Sequence, residues 1–467
     1  MQVTSKQAVE LLLQGSIVLA QMEHNGICID VDYLNQTMEE TSVRIRKLQQ
    51  QLRADTFYVK WHKRFGIKTK LGSREQLASL LFDDLKLPYR ADFTTTGRYK
   101  TDADVLRTVD MPFVQKYLRL EDLRKFKSTF LEGLQRETIQ GRVHPFFHLH
   151  TVETFRGSSS DPNFQNIPRR DEELGKLIRQ CFIPRQGRVL VESDFGALEF
   201  RIAACFWKDP AMIAYASDKN LDIHRDMAAE IFGVNASYVT KMQRDIAKNQ
   251  FVFPILYGSY YIQCAKNIWS SISERNMTTV EGVPYKSYLK GCGVKELGAC
   301  DPREKPRKST FEYRLKQVED NFNQRFDVFS RSKEAWWQKY QQTGQFRLMT
   351  GFVVNGVYSK NFLMNCPIQG PGFHCLLWSL IHVQKWLRKQ KMKTLLVGQV
   401  HDCLIADTPI EELQDYLDAV QRIITVELPK AWNWIVCPLE IECEVAERNW
   451  HQKVNWVKTK GKWQPKE

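Results

Sequence analysis

The stretch 397-VGQVHDCLIAD-407 decides the reading of this chain. Val400, Leu404 and Ile405 suit a buried strand, yet Asp402 stands among them, and an ionised carboxylate is costly to bury unless a cation sits against it. A second strand-like apolar run, 188-RVLVESDF-195, also ends in an acid, Asp194. The two aspartates are 208 positions apart, so only a sheet joining both ends of a domain brings them together. Carboxylates held side by side repel unless a proton or a metal lies between them. With oxygen ligands alone and no Cys or His pair at metal spacing, the expected ion is Mg²⁺. Two unrelated aspartates capping turns would look the same in isolation.

Between them lies 244-RDIAKNQFVFPILYG-258, where Arg244 and Lys248 stand four apart on one helical face, as do Phe253 and Tyr257. Cations beside flat aromatics suit a nucleoside triphosphate: the former hold phosphates, and a ring packs on the base or sugar. An ordinary amphipathic helix can carry the same letters.

At 467 residues the chain exceeds what one core usually organises. Its net charge of +13 and 12% aromatic content favour polyanionic partners without proving them. Eleven scattered cysteines with no C-x-x-C exclude a disulfide framework or a tetrathiolate zinc site. With neither a signal peptide nor an eighteen-residue apolar run, an intracellular soluble protein without a membrane partner is expected.

The pattern along the chain is mixed α and β. A helix-like opening with a stop at Gly26 leads to a short strand, ICID. Two charged helical segments, 40–55 and 115–137, flank a loop-rich stretch at 91–104. The run 154-TFRGSSSDPNFQNIPRR-170 reads as turns. Residues 267–309 read as a polar, irregular insertion, helix returns over 310–341, strands are expected at 394–406 and 437–445, and the chain ends in a lysine-rich tail.

Together these segments resemble the polymerase core of DNA polymerase family A. The matching motifs are 194-DFGALEFR-201, Arg244 through Gly258 as R-x-x-x-K…F-x-x-x-Y-G, 400-VHD-402, and the T-x-R-x-S-S-S-D-P-N-x-Q-N-I-P stretch. Supporting matches are 19-LAQMEHNGICID-30, 124-RKFKST-129, 221-LDIH-224 and 365-NCPIQG-370, in the family's order from about residue 16 to 450. The resemblance implies an α/β (α+β) right-hand fold: an antiparallel palm sheet with helical thumb and fingers. Its expected segments are 1–40 leading into the palm, 41–145 the thumb, 146–205 palm, 206–360 fingers with the 267–309 insertion, and 361–467 palm.

The resemblance also implies a DNA-directed DNA polymerase, working as a monomer on primer–template DNA and dNTPs. Asp194 and Asp402 would hold two Mg²⁺ ions, with Mn²⁺ as a substitute, about 3.5–4 Å apart as in two-metal phosphoryl transfer. One ion would activate the primer 3′-hydroxyl, the other would stabilise departing pyrophosphate. Arg244, Lys248 and His224 would bind triphosphate, with Lys248 as proton donor to pyrophosphate. Phe253 would meet the nucleotide. Glu199 would be a steric gate against the ribose 2′-hydroxyl, and Tyr257 would support it near the templating base. Arg156, Asn163, Gln165, Asn166, Asn365, Gln369 and His401 would contact the primer–template, chiefly its backbone and minor groove. Arg124, Lys125 and Lys127 would contact phosphates from the thumb. Taken singly, Gln165 or Asn166 could just satisfy a turn, and His224 could cap a helix.

Three departures stand out. Lys248 to Phe253 is five steps where the family usually has four, and Pro254 follows, which predicts a π-bulge or kink near 249–254. Cys403 replaces the glutamate that commonly follows the catalytic aspartate, and Glu192 is not nominated in its stead. The insertion at 267–309 is longer than usual. The family's proofreading domain would precede residue 16 and bring a D-x-E metal motif, which the first fifteen residues do not carry, so primer extension without excision is expected, whether the chain is a minimal enzyme of phage or plasmid type or part of a longer product. A single-subunit RNA polymerase shares the aspartates, the lysine and Y-G, but Glu199 and S-S-S-D-P-N-F-Q-N-I-P argue against it. An inactive primer–template binding protein is the other alternative.

Overall fold

The computed structural model describes residues 3–87, 89, 93–107, 109–168 and 171–466. These form two compact units: one of residues 1–28, 142–166 and 182–467, the other of residues 29–141 and 167–181.

The first unit opens with α1 (Ser5–Asn25), begun by a capping box in which Thr4 and Gln7 satisfy each other's amides, and ended at Gly26 as the sequence predicts. Its centre is a six-stranded antiparallel sheet built from β1 (Arg188–Phe195), β2 (Leu395–Val400), β3 (Cys403–Pro409), β4 (Ile441–Ala446), β5 (Lys453–Thr459) and β6 (Lys462–Pro465), in the order β2-β3-β1-β4-β5-β6. The strands expected at 188–195, 394–406 and 437–445 are therefore present. The lysine-rich tail, by contrast, is a hairpin that extends the sheet. β1 sits in the middle, and Val189, Val191 and Phe195 on one of its faces join a continuous apolar core.

That core also takes in α2 (Leu198–Trp207), α3 (Ile223–Phe232), α4 (Lys241–Ala247) and α5 (Lys360–Lys389). The five-step spacing has the predicted consequence. α4 runs into a π-helical turn at Lys248–Val252 before a last α-turn, Phe253–Leu256, so the extra residue is absorbed by widening the helix. At the following Gly258, φ is +87°, and a Cβ there would press on Asn361 and Met364.

The reading of 267–309 as polar and irregular is corrected. Residues up to Glu274 finish a helix, Tyr261–Glu274, and a further helix runs Tyr285–Gly291. Met277, Tyr285, Leu289, Val294 and Cys300 are buried. An isolated aromatic in a polar stretch gives no periodic signal, which is why packing here was missed.

The second unit is helical and has its own core around Leu52, Phe57, Trp61, Leu77, Phe113 and Tyr117. Its long helix Val31–Arg53 starts at the Asp30 cap, ahead of the expected 40–55, and Pro112–Lys125 continues through a π-turn, Phe126–Leu131, into Glu132–Glu137. The helical lobe expected over 41–145 thus gains residues 29–40 and a returning helix, Glu172–Gln180, which Arg119 ties in through Asp171 and Glu173, and yields residues 142–145 to the first unit. Residues 91–92 of the expected loop and 169–170 of the turn-rich run lie outside the described residues. No described helix is long and apolar enough to cross a membrane.

Candidate active site

The sheet brings the two aspartates together. Asp194 on β1 pairs in register with Cys403 on β3, and the amide of Phe195 donates to the carbonyl of Asp402 at 3.4 Å. Asp402 occupies the two-residue turn between β2 and β3, where His401 has φ +58°. A bulky residue in that conformation is strained, a feature that gathers at functional sites. Both aspartates are half-buried.

After β1 the chain turns through Gly196 and left-handed Ala197 into α2. Arg201 fixes this turn. Its Nε donates to the Gly196 carbonyl at 2.8 Å, its guanidinium reaches the carbonyls of Ala216 and Pro438, and it pairs with Glu440 at 2.6 Å. That role was missed in the sequence, where Arg201 was only a letter of the motif. Glu199, in the first turn of α2, is close enough to feel the charges of Asp402, Arg156 and Lys248. Burial raises the Glu199 carboxyl, the Asp402 carboxylate adds to the rise, and Arg156 and Lys248 oppose it. The buried Tyr257 hydroxyl lies by Glu199 and Gln369 without a hydrogen bond of regular geometry to either. Burial and then the Glu199 charge push it well above the usual phenol range.

A second wall comes from α3 and α4. The Lys248 ammonium lies 5.6 Å from the Phe253 ring centre, Phe253 stacks on Tyr257 at 6.1 Å, and the His224 ring meets Phe253 edge-on at 5.6 Å. Val252, the other contender for the nucleotide, is fully buried in the core, whereas Phe253 is half-exposed. Both ring nitrogens of His224 are buried without a hydrogen-bond partner, and burial with the nearby Lys248 and Arg244 charges holds its pKa down to about 3. The cap at the start of α3 is Asp222, not His224: its Oδ1 accepts from the amides of His224 and Arg225 at 3.0 and 3.1 Å. Its other oxygen takes Arg244 Nε at 2.6 Å.

Of the expected DNA contacts, Arg156 meets His401 Nδ1 at 3.4 Å, and Gln369 accepts from Thr154 at 3.4 Å. One turn earlier on α5, the Asn365 carbonyl oxygen is buried and unpartnered. Asn163 caps a short 3₁₀ turn by accepting from the amides of Gln165 and Asn166 at 3.1 and 3.2 Å, leaving Gln165 half-buried and Asn166 exposed. Arg124, Lys125 and Lys127 belong to the second unit, where Arg124 pairs with Glu121 and Lys127 with Glu132, and Lys125 is exposed.

The donor set suits a hard divalent ion. Two aspartates stand on neighbouring chain segments at one sheet end, whereas Cys403 is a buried thiol hydrogen-bonded to the Leu404 carbonyl, its pKa driven well up by burial and then by Glu192 and Asp194. Among the described residues no cluster of three metal-ligating side chains exists, so water and substrate oxygens would complete the shell, as suits Mg²⁺. Glu192 is engaged elsewhere, with Lys453 at 2.7 Å and the Trp450 indole at 2.6 Å.

Comparison with known proteins identifies the family. The family model described as DNA polymerase family A matches residues 31–281 and 354–452. A DNA polymerase I of Caldicellulosiruptor bescii is 32% identical over 447 residues, covering 95% of this chain and 46% of that protein. The thermostable DNA polymerase I of Thermus aquaticus is 28% identical over 454 residues, covering 92% and 47%. The chain spans a little under half the length of these relatives. Among solved structures, the POL domain of Pol1 from M. smegmatis, in complex with DNA primer-template and dNTP, aligns over 94% of this chain and 70% of its own with a TM-score of 0.74 at 24% identity, a likeness of fold.

Proposed function

This chain belongs to DNA polymerase family A, and on that premise we propose that it adds dNTPs to a primer 3′-hydroxyl under the direction of a DNA template, releasing pyrophosphate. The observation that carries the reading is that Asp194 and the turn holding Asp402 stand next to each other at one sheet end, in the same unit as a wall of cations and aromatics. A divalent ion held by the two carboxylates, Mg²⁺ or Mn²⁺, would make the hydroxyl more acidic and offset triphosphate charge. Lys248 and Arg244 orient the triphosphate, and His224, with no protein partner for either ring nitrogen, offers one to a phosphate oxygen. Lys248 supplies the leaving pyrophosphate with a proton. Phe253 packs on the nucleotide, and Glu199, backed by Tyr257, fills the space a 2′-hydroxyl would need.

For the duplex, Arg156, His401, Gln369 and Asn365, all of the first unit, contact the primer–template, and Asn163 shapes the turn that offers Gln165 and Asn166. Arg124, Lys125 and Lys127 add phosphate contacts from the helical unit. The test is primer extension with Mg²⁺ on a DNA template, dNTPs against NTPs, wild type against Asp402→Ala. Extension by dNTPs alone that vanishes in the variant is expected. Extension by NTPs would point to an RNA polymerase, and folded protein that binds primer–template without extending it would overturn the enzymatic reading.

A further inference from the structure

Alternate residues of a strand share a face, so Glu192 lies on the same side of β1 as Asp194, about 7 Å along the strand. Across β4, Glu192 stands opposite Glu444 and Asp194 opposite Glu442. Like charges directly opposed across a sheet are unfavourable. Lys453, the first residue of β5, answers the first of these pairs: its ammonium contacts Glu192 at 2.7 Å and Glu444 at 2.5 Å, while the Trp450 indole donates to the same Glu192 oxygen. Lys453 is also the first residue beyond the stretch that the family model matches. The strand carrying Asp194 is thus balanced by a lysine that the terminal hairpin supplies.

We propose that Lys453 is a positioning residue that sequesters Glu192 and Glu444, so that the cation site at the strand end is confined to Asp194 and Asp402. A buried carboxylate that loses its ammonium must take up a proton or a cation. Without Lys453, Glu192 and Glu444 form a rival acidic pair beside the aspartates, and a divalent ion settles where it cannot meet the 3′-hydroxyl. This rests on the polymerase reading for its consequence, but not for its geometry.

The test is Mn²⁺ binding to the full chain, read by electron paramagnetic resonance, alongside primer extension. Lys453→Met is expected to bind Mn²⁺ roughly tenfold more tightly, as removal of one nearby charge implies, and to keep that binding when Asp402→Asn is added. Lys453→Arg retains wild-type affinity, and Glu192→Gln added to Lys453→Met returns it toward wild type. A structural role alone would lower thermal stability without tightening Mn²⁺ binding. Unchanged or weaker binding by folded Lys453→Met overturns the proposal. Should that variant not fold, Lys453→Gln, which keeps an amide donor without charge, is judged by the same criterion. A wild type that fails to extend primers sinks the polymerase reading while leaving the Mn²⁺ comparison to decide this one.

Discussion

The Arg244 guanidinium donates to the Asp222 carboxylate at 2.6 Å, while the other oxygen of that carboxylate caps α3. One acid therefore fixes both a helix start and the cation proposed to hold triphosphate, and on that proposal an incoming phosphate must draw Arg244 away from it. Burial of Asp222 works against ionisation, but the hydrogen bond from Arg244 prevails and holds the carboxyl below its usual range. Asp222→Asn keeps the cap and removes the charge. It is expected to lower KM for dNTP by up to about fivefold, the worth of a partly exposed pair. Asp222→Ala should in addition cost about 1 kcal/mol of stability through loss of the cap. Steady-state kinetics and urea melts check both, and an unchanged KM in the Asn variant would show that the pair does not compete with substrate.

Phe253 places a ring without a hydroxyl beside Lys248 and Tyr257. A 3′-hydroxyl on the incoming nucleotide then has no protein hydroxyl to replace it, so the wild type should discriminate against dideoxynucleotides by at least about tenfold. Phe253→Tyr should relax that preference in a chain-termination assay. Equal use of both nucleotides by the wild type would reassign the contact to another residue.

The imidazole of His224 is held down to about 3 by burial and by the Lys248 and Arg244 charges. Unfolded, it titrates near about 6.5. Between those values the unfolded chain binds a proton that the folded chain refuses, so stability declines as pH falls through that window. The slope from this group is about 1.4 kcal/mol per pH unit in mid-window. The buried His374, also down to about 3, acts with the same sign. His224→Gln should therefore gain on wild type by about 1–2 kcal/mol between pH 7 and 5 in urea melts. A difference that does not vary with pH would mean the ring is not held neutral.

Much of the site was legible because its determinants are local. The apolar run 188-RVLVESDF-195 put Asp194 at a strand end, and the surplus step between Lys248 and Phe253 with Pro254 after it sufficed to foresee the π-helical turn. What was hidden depends on partners distant in sequence. Nothing near Glu192 announces Lys453, and nothing near Arg201 announces the carbonyl of Pro438. The helical unit was drawn too short because residues 167–181 return to it after the chain has left, which no local pattern encodes. Asn163, read as a DNA contact, spends its side-chain oxygen on its own turn.

The segment 267–309 offers the sharpest contrast between a solvated excursion and a packed element. Tyr285 is 1% exposed, its ring meets Phe232 edge-on at 5.3 Å, and its hydroxyl donates to the Phe232 carbonyl at the end of α3. Further on, Glu312 accepts from the Cys300 amide at 3.0 Å and closes the segment against the helix Phe311–Arg325. Tyr285→Ala should then cost about 3–5 kcal/mol, as for other large buried rings. Tyr285→Phe should cost about 1–2 kcal/mol, since it leaves a buried carbonyl unpaired. Val280, 74% exposed in the same segment, is the control, and Val280→Ala should change stability by no more than about 0.5 kcal/mol. Because α3 carries His224, the Tyr285→Ala loss should be accompanied by a raised KM for dNTP, whereas Val280→Ala leaves KM alone. If urea melts place the Tyr285 variants level with the Val280 control, the segment does not support α3, and its helix is an appendage after all.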